Sequence, residues 1–407
     1  MATKTEDDSD FLGERTNPQD FLKKKIELIS KAIIDIEQDK SKFMAVFHEL
    51  KESLSIPEDL KKHHLLFGDK LHEKLDLFPL SGMKIGAVDG SILRESTLGV
   101  DLIASKSRGV VFRFFKKKPP DVKYYPLKKD ENFNLFGIFQ GLNTQELEMY
   151  SSVERILAEL ELVYEILRDE TDLDMMIIDG SLYIPEIMNG HCENYYIKKY
   201  IERITKVLIN IIKICKYKDI LLVGVVKDSI KRDLMHIIGK MIPNMMKNDP
   251  TFKKFLEFDY RKVIKIFKDH DFFFRYLDEG ERTIVLKSYP KNGNFTHHVP
   301  LETYFKINEL GIFSFLLKPV PMDIPLKVEF ITSNDSSTIL KYGRRIASLL
   351  YPMSKIMINY SEPSPQMEAH KRVKIPEQEF KIIVEMIRRK TGYCPTLLQK
   401  RRERKPF

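Results

Sequence analysis

Hydrophobic residues repeat at helical spacing near the start of the chain, after a polar stretch over residues 1–18 that has the composition of a disordered lead. The repeating positions are Ile26, Ile29, Ile33 and Ile36. Steps of three and four residues place side chains on one helix face, and the pattern ends before Ile56-Pro57, where proline breaks a helix. We expect a helical arm over residues 19–80 that packs on its own domain or, alternatively, on a dimer or other partner.

Apolar runs of strand length alternate with helical patterns in the middle of the chain. The predicted order is a strand over Lys84–Val88, two strands on either side of Ser107-Arg108-Gly109, a helix from residue 143 or 144 to about Arg168, a strand ending at Asp179, a helix from Tyr195 to about Tyr217, and a strand ending at Lys227. This order predicts an α/β fold, with a mixed sheet flanked by helices. Ligands of such sheets gather where strands end.

The pattern becomes irregular over residues 236–300, which include His297-His298. We interpret this region as an insertion or second lobe between two parts of the core, residues 81–235 and 301–380. The second part contains a strand at 324–331, a helix at 337–351 and a helix that opens at Ser364-Pro365. Residues 381–407 are expected to finish a helix and form a basic tail, which contacts nucleic acid or is simply solvated.

The same tripeptide follows two of the predicted strands, as Asp89-Gly90-Ser91 and Asp179-Gly180-Ser181. A single Asp-Gly pair is usually a turn. Two copies in matching contexts indicate acids that meet at one edge of the sheet. Two unit charges about 4 Å apart repel by roughly 4 kcal/mol at an effective dielectric near 20, so such acids are either protonated or neutralised by a cation.

The order of these elements is that of ribonuclease H-like nucleases, in which carboxylates from the first strand, the following helix and a later strand hold two divalent ions. Mg²⁺ and Mn²⁺ are hard cations that prefer oxygen ligands. The helix must supply the third acid. We expect Glu154, because it follows the apolar Val153 and precedes the small Ala158 by one turn. The other candidates are Glu148 and Glu159.

Composition narrows the class of protein. Apolar residues make up 43% and charged residues 31% of the 407 residues, which is typical of a soluble globular chain. No apolar run is long enough to cross a membrane, and the acidic start lacks a secretory signal. The three cysteines have no metal-ligand spacing. We therefore expect a cytoplasmic protein that does not bind membranes.

The net charge of +8 favours an anionic partner without proving one. Basic and aromatic residues alternate over residues 112–118, which could follow a phosphate backbone or could form the charged outer face of an edge strand. The sequence leaves both interpretations open.

The chain resembles the NurA nucleases of archaea and some bacteria over roughly residues 83–375. The resemblance depends on an ordered set of motifs: AVDGS at Ala87–Ser91, the helix with Glu154, IIDGSL at Ile177–Leu182, VGVVKDS at Val223–Ser229, IPLKVEF at Ile324–Phe330, and Ala369-His370. Residues 236–300 match nothing that we can place in the family.

Membership would imply a ribonuclease H-like core in which Asp89, Glu154 and Asp179 are metal ligands. His370 would be a further ligand or catalytic group, and Lys227 would contact the scissile or adjacent phosphate. The family is described as Mn²⁺-dependent, with Mg²⁺ as the other possible ion. It is also described as a 5′-to-3′ exonuclease and single-strand endonuclease on DNA, acting as a homodimer with the hexameric translocase HerA in resection at double-strand breaks.

From the residues alone, His370 reads as an ordinary surface histidine on a helix, and a neutral imidazole there would also suit Mn²⁺. Asp269-His270-Asp271 looks like a metal motif, but adjacent residues on one element point in different directions. Two other functions stay open: another ribonuclease H-like phosphotransferase, such as a hybrid nuclease or integrase, and a non-catalytic subunit that binds DNA ends. No phosphate-binding glycine motif indicates a nucleotide-binding protein.

Overall fold

The computed structural model describes residues 18–127, 133–139, 141–182, 184, 194–227, 229–248, 250–289 and 300–398. The helices are α1 (Pro18–Glu49), α2 (Glu58–His64), α3 (Thr144–Asp169), α4 (Tyr195–Lys218), α5 (Asp233–Asn248), α6 (Tyr260–Ile266), α7 (Asp269–Tyr276), α8 (Pro300–Ile307), α9 (Ser336–Met353), α10 (Ser364–Val373) and α11 (Glu377–Thr391). The strands are β1 (Leu66–Lys74), β2 (Lys84–Ser96), β3 (Asp101–Arg113), β4 (Asp121–Tyr125), β5 (Asn134–Ile138), β6 (Met175–Asp179), β7 (Leu221–Val226), β8 (Glu281–Tyr289), β9 (Leu310–Lys318) and β10 (Leu326–Ser333). Two short 3₁₀ helices lie at Pro250–Glu257 and Pro395–Leu397.

The chain divides into two compact units. The helical unit comprises the described residues up to Leu54 together with Arg232–Lys268, and the sheet unit comprises Ser55–Lys231 and the described residues from Asp269 onward. The first part of the predicted arm, up to Leu54, and part of the predicted insertion therefore belong to one unit, although they are far apart in sequence.

An aromatic cluster forms the interior of the helical unit. Phe43 and Phe47 of α1 pack at a tilt against Phe255 of the 3₁₀ helix, with ring centroids 5.3 Å and 5.5 Å from it. Phe267 closes the cluster from the end of α6, 5.7 Å from Phe43. Lys254 adds an ion pair with Glu49 at 2.7 Å. Burial of these rings therefore holds the second half of α1 against the other piece of the helical unit.

The described strands of the sheet unit form one mixed sheet in the order β1-β8-β9-β10-β7-β6-β2-β3-β4, with β5 also paired to β3. The central strands β2, β6 and β7 run parallel, and the others pair antiparallel. Helices α3 and α4 pack on one face, whereas α9 and α10 pack on the other. Strand residues alternate between these faces, so Val88 faces α3 whereas Ala87 faces α10. The predicted fold class, a mixed sheet flanked by helices, is confirmed.

Helix α3 begins where the sequence predicts it, because Asn143 and Glu146 cap its first turn. The Asn143 side chain accepts from the Glu146 amide at 2.9 Å, and the Glu146 carboxylate accepts from the Asn143 amide at 3.0 Å. Helices α9 and α10 also lie where they were predicted.

The strand pair β2–β3 differs from the prediction. The sequence suggested a short first strand and a break at Ser107-Arg108-Gly109, but both strands are thirteen residues long and pair without interruption from Lys84↔Arg113 to Ser96↔Asp101. Gly109 does not form a turn and is instead needed for close packing of a helix on the sheet. A Cβ there would lie 2.6 Å from the Ile166 side chain of α3, so glycine lets the helix approach the sheet.

Two domain boundaries also differ from the prediction. Residues 66–74, assigned to the helical arm, form the edge strand β1, and residues 269–289, assigned to the insertion, form α7 and β8 of the sheet unit. Within the part of the chain that the structure describes, no helix is both long enough and apolar enough to span a bilayer. His297-His298, Cys192 and the basic residues from 399 onward lie outside the described residues.

Candidate metal centre

The two aspartates of the repeated tripeptide lie side by side on neighbouring parallel strands. The last residues paired between β2 and β6 are Val88 and Ile178, so Asp89 and Asp179 come next in the same register. Neighbouring strands are about 4.8 Å apart. Both side chains point to the α10 face, the side of Ala87 and Ile177. Asp89 is buried, with 3% of its surface exposed, and Asp179 is partly exposed.

The strands diverge at this point, which makes room for a site. Strand β6 ends at Asp179, and Gly180 turns the chain with φ of 103°, a conformation that favours glycine. Strand β2 continues past Asp89 and keeps only β3 as a partner. The carboxylates therefore lie at the edge that β6 leaves open.

Helix α10 contributes two side chains one turn apart. Nδ1 of His370 donates to Oδ2 of Asp89 at 2.7 Å, and the Gln366 amide donates to Oδ1 of Asp179. Residues four apart share a helix face, so one helix contacts both aspartates. The His370 side chain is 59% exposed, whereas Gln366 is fully buried. The sequence singled out His370 but missed Gln366, whose position one turn before His370 was the available signal.

Lys227 follows β7 and lies beside Asp179, on the side away from Asp89. Its Nζ is 3.5 Å from Oδ1 of Asp179 and 2.7 Å from Oε1 of Glu362, which is buried. Burial alone would lower the pKa of Lys227, but Asp179 and Glu362 raise it above its ordinary value, so the amine stays charged. Glu362 was not among the predicted residues, because nothing in its local pattern links it to the strands.

The helix glutamate next to the aspartates is Glu159, and the expectation that Glu154 takes this place is not met. Glu159 is fully buried, and its carboxylate lies against Gly90, where a Cβ would be 2.4 Å from Oε1. Five residues separate the two glutamates, which is about 140° around a helix. Glu154 consequently faces Tyr200 and Arg203 of α4. The third candidate, Glu148, is exposed and lies 3.4 Å from Arg94.

The acids repel one another, and two of them, Asp89 and Glu159, are shielded from water. Burial raises the pKa of Glu159 to about 8; the adjacent Arg155 opposes this, and Asp89 and Asp179 add to it. Burial and the charge of Asp179 also raise the pKa of Asp89 above its ordinary value, although His370 opposes them. A site that disfavours its own negative charge is one that a cation would stabilise.

A cavity of about 190 Å³ opens between α3 and the end of β6. Arg155, Glu159, Asp179 and Ser181 are among its lining residues, so the helix acid and the strand acid share one solvent space. This space is large enough to admit water molecules.

The loop after Asp179 is held by a buried carboxylate from another strand. Glu329 of β10 has no exposed surface; its Oε2 accepts from Oγ of Ser181 at 2.6 Å and from the Leu182 amide at 2.9 Å. Lys327 donates to its Oε1 at 2.6 Å. On β7, a Cβ at Gly224 would lie 2.7 Å from the Gly180 carbonyl oxygen, so only a glycine lets the loop pack this close to the strand. The serine of the second tripeptide is thus a structural contact.

These residues fit a hard divalent cation in donor type and in charge. Three carboxylates and an imidazole face one sheet edge, although within the described ranges no three such groups stand close enough to enclose an ion as they are. Each carboxylate instead accepts a hydrogen bond from a protein side chain. Asp89 accepts from His370, Asp179 from Gln366, and Glu159 from Arg155. Asp269-His270-Asp271 does not form a second site, since Nδ1 of His270 contacts the Ser229 carbonyl at 2.9 Å.

Two acids lie in register on parallel central strands of a mixed sheet, and a helix acid reaches them from the opposite face, which defines an α/β protein with an acidic site at one edge of the sheet. Comparison with family models agrees, because the NurA domain model matches residues 83–375. The chain belongs to the NurA family. No curated protein matches it.

Solved NurA structures are similar to this chain at low sequence identity, and one with a TM-score above 0.5 shows the same fold. The NurA nuclease from Sulfolobus solfataricus is 14% identical, with a TM-score of 0.51 over 89% of this chain and 96% of that one. A NurA structure with manganese is 10% identical, with a TM-score of 0.45 over 91% and 99% of the two chains. One with dAMP and manganese is 13% identical, with a TM-score of 0.43 over 92% and 98%.

Proposed function

We propose that the chain is a divalent-metal-dependent nuclease that hydrolyses phosphodiester bonds in DNA. The observation that carries this proposal is the placement of Asp89 and Asp179 in register on parallel strands, with Glu159 reaching them from α3. Acids so arranged are stable together only when protons or cations offset their charge.

Asp89, Asp179 and Glu159 are the proposed metal ligands, with Glu159 in the role expected of Glu154. Mn²⁺ is the proposed ion, as in two of the NurA structures, and Mg²⁺ suits the same oxygen donors. When bound, such ions activate water and stabilise the leaving oxygen. Ligation requires Asp179 to turn from Gln366, and Glu159 to turn from Arg155.

The remaining residues have proposed roles at the substrate. His370 holds Asp89 through Nδ1 and, with its exposed ring, could ligate through Nε2 or transfer a proton to or from the substrate. Lys227 lies on the other side of Asp179, where its charge can contact a phosphate oxygen.

We further propose the activities that the family suggests: 5′-to-3′ exonuclease and single-strand endonuclease action during resection at double-strand breaks. The partners would be DNA, a second copy of the chain and a HerA-type hexameric translocase, in the cytoplasm. The net charge of +8 supports an anionic substrate.

The test compares Asp89→Asn and Asp179→Asn with Asp172→Asn, an acid at the opposite end of β6 that lies 3.3 Å from Arg113. Cleavage of labelled single-stranded DNA in Mn²⁺ should fall below detection in the first two variants and stay unchanged in the third, with the fold intact by circular dichroism. Full activity in either site variant would refute the proposal.

Cleavage of single-stranded DNA, duplex DNA and an RNA–DNA hybrid is then compared to separate the other functions. Preference for an RNA–DNA hybrid over DNA would indicate a different ribonuclease H-like phosphotransferase. Salt-dependent DNA binding by the wild type, without cleavage at any Mn²⁺ or Mg²⁺ concentration, would indicate a subunit that only binds ends.

A further inference from the structure

Helix α1 carries an apolar seam along its first half that is exposed to solvent. Leu22, Ile26, Ile29 and Ile33 recur at steps of four, three and four residues, and each is 55–59% exposed. Ile36 continues the series and is partly buried. Alternating steps of three and four are the heptad pattern by which helices pair in coiled coils.

The seam is one face of the helix along its length. Continued at the same steps, the series passes Lys40 and reaches Phe43 and Phe47, which are 0% and 2% exposed inside the aromatic cluster. One half of this face is therefore covered by the helical unit and the other half is not. Single exposed apolar side chains are ordinary, but a continuous row of them indicates a partner.

Charges beside the seam indicate which partner fits. The first half of the exposed segment is basic at Lys23, Lys24 and Lys25, and the second half is acidic at Asp35, Glu37 and Asp39. Two copies aligned in parallel would place like charges together. Two antiparallel copies would place the basic half of each beside the acidic half of the other.

The register of such an antiparallel pair follows from the heptad positions. With the two-fold axis at residue 31, Ile26 packs against Ile36 of the second copy, and Ile29 against its Ile33. Lys23 then flanks Glu37 of the second copy, and Lys25 flanks its Asp39. Both flanking pairs are attractive, and both arise twice by symmetry. Glu37 already lies 3.5 Å from Lys40 of its own helix, a contact that the pairing would extend.

We propose that α1 is a dimerisation surface, which pairs antiparallel with α1 of a second copy of this chain through the seam from Leu22 to Ile36. This inference gives the proposed homodimer its interface and does not depend on the metal chemistry. Failure of the nuclease test would leave it intact, and the Asp89→Asn variant should remain dimeric.

The first experiment measures the mass of the full chain by sedimentation or light scattering over a concentration series. The wild type should be a dimer, and Ile33→Lys should raise the dissociation constant at least about tenfold. Ile34→Lys is the matched control, because Ile34 is equally exposed at 55% but lies outside the seam. A monomeric wild type, or an equal response of both variants, would overturn the proposal.

Charge exchange tests the pairing without disturbing the seam. Lys23→Glu with Lys25→Glu should weaken the dimer, and adding Glu37→Lys with Asp39→Lys should restore it.

Orientation is tested by oxidative cross-linking, in which Ser30→Cys or Ala32→Cys beside the axis should link two copies. Lys31→Cys faces outward and should behave like the wild type with its own cysteines. Linking through residue 31 alone, or no recovery on charge exchange, would refute the antiparallel pair.

Discussion

Replacement of Glu159 by glutamine should separate activity from stability. The substitution keeps the volume of the side chain but removes the charge that the proposed site needs. Because Glu159 is fully buried beside two other acids, it is also a costly residue for the fold. We therefore expect Glu159→Gln to lose cleavage and to gain stability.

The size of the gain follows from the pKa of the buried carboxyl group. In the unfolded chain Glu159 ionises near its ordinary pKa of 4.5, whereas burial raises the pKa to about 8 in the fold. At 1.36 kcal/mol per pH unit, keeping the group protonated at pH 7 costs roughly 3 kcal/mol, and relaxation of the site reduces this to about 2 kcal/mol. Stability of the wild type thus falls as pH rises from about 4.5 to 8, and the glutamine variant lacks this loss.

Two measurements check the prediction. Denaturant unfolding without metal should show the variant more stable by about 2 kcal/mol at pH 7 and equal to the wild type near pH 4. Cleavage in Mn²⁺ should fall at least about 100-fold, because a ligand that neutralises the ion is worth several kcal/mol. Glu154→Gln, on the α4 side of the same helix, should cleave like the wild type.

The reasoning would be wrong if Glu154→Gln and not Glu159→Gln lost activity, since the helix phase in solution would then differ from the structure. It would also be wrong if Glu159→Gln were less stable at pH 7. That result would mean that Glu159 is ionised in the fold, and that its ion pair with Arg155 outweighs burial.

Three further predictions concern residues around the site. Glu170 is buried, but its pKa is lowered to about 2 by Lys123, Lys84 and Tyr125, so Glu170→Gln should cost about 2 kcal/mol at pH 7 and nothing near pH 2 in acid unfolding. Glu329→Gln removes an acceptor from the loop after Asp179 and should lower kcat about tenfold while KM hardly changes. Gly90→Ala places a Cβ 2.4 Å from Oε1 of Glu159 and should reduce Mn²⁺ affinity in calorimetry.

Each of these has its own control. For Glu170, the exposed Glu148→Gln should leave acid stability unchanged, and an equal loss in both variants would point to net charge. For Glu329, a Ser181→Ala variant should show a smaller loss of kcat, and a change in KM alone would exclude positioning. For Gly90, adding Glu159→Asp shortens the acid and should restore part of the affinity; no recovery would mean that the added methyl group acts elsewhere.

The strand acids could be predicted from sequence because strand ends are local signals. Each Asp-Gly follows a short apolar run, and parallel pairing of these runs brings both acids to the same edge. The continuation of β2 beyond Asp89 was not predictable in this way. It depends on the long pairing with β3, a contact between residues distant in sequence.

The helix acid that lies beside the aspartates is Glu159 and not the expected Glu154, and the reason is the phase of the helix. A helix that packs against both a sheet and a second helix has apolar residues around much of its circumference, and α3 buries residues against both the strands and α4. Glu154 and Glu159 both border apolar positions. Leu162, Val163 and Ile166 follow Glu159 on its own face, which was the signal that favoured it.

Residues that reach the site from distant parts of the chain were difficult to recognise from sequence, and only Gln366 had a signal, its position one turn before His370. Gln366 contacts Asp179 from α10, and Glu362 contacts Lys227 from the segment before that helix. The shared interior of α1 and the 3₁₀ helix was hidden for the same reason. Such contacts are properties of the whole fold and become visible only when it is assembled.

The discontinuous helical unit has a consequence for how the protein is made. Its two pieces are separated by the stretch from Ser55 to Lys231, which is all sheet unit. At about 5–20 residues per second, a ribosome needs roughly 10 to 40 s to add the second piece after the first. During that interval the rings of Phe43 and Phe47 stay uncovered on the nascent chain, so α1 leaves the ribosome well before the segment that completes its packing.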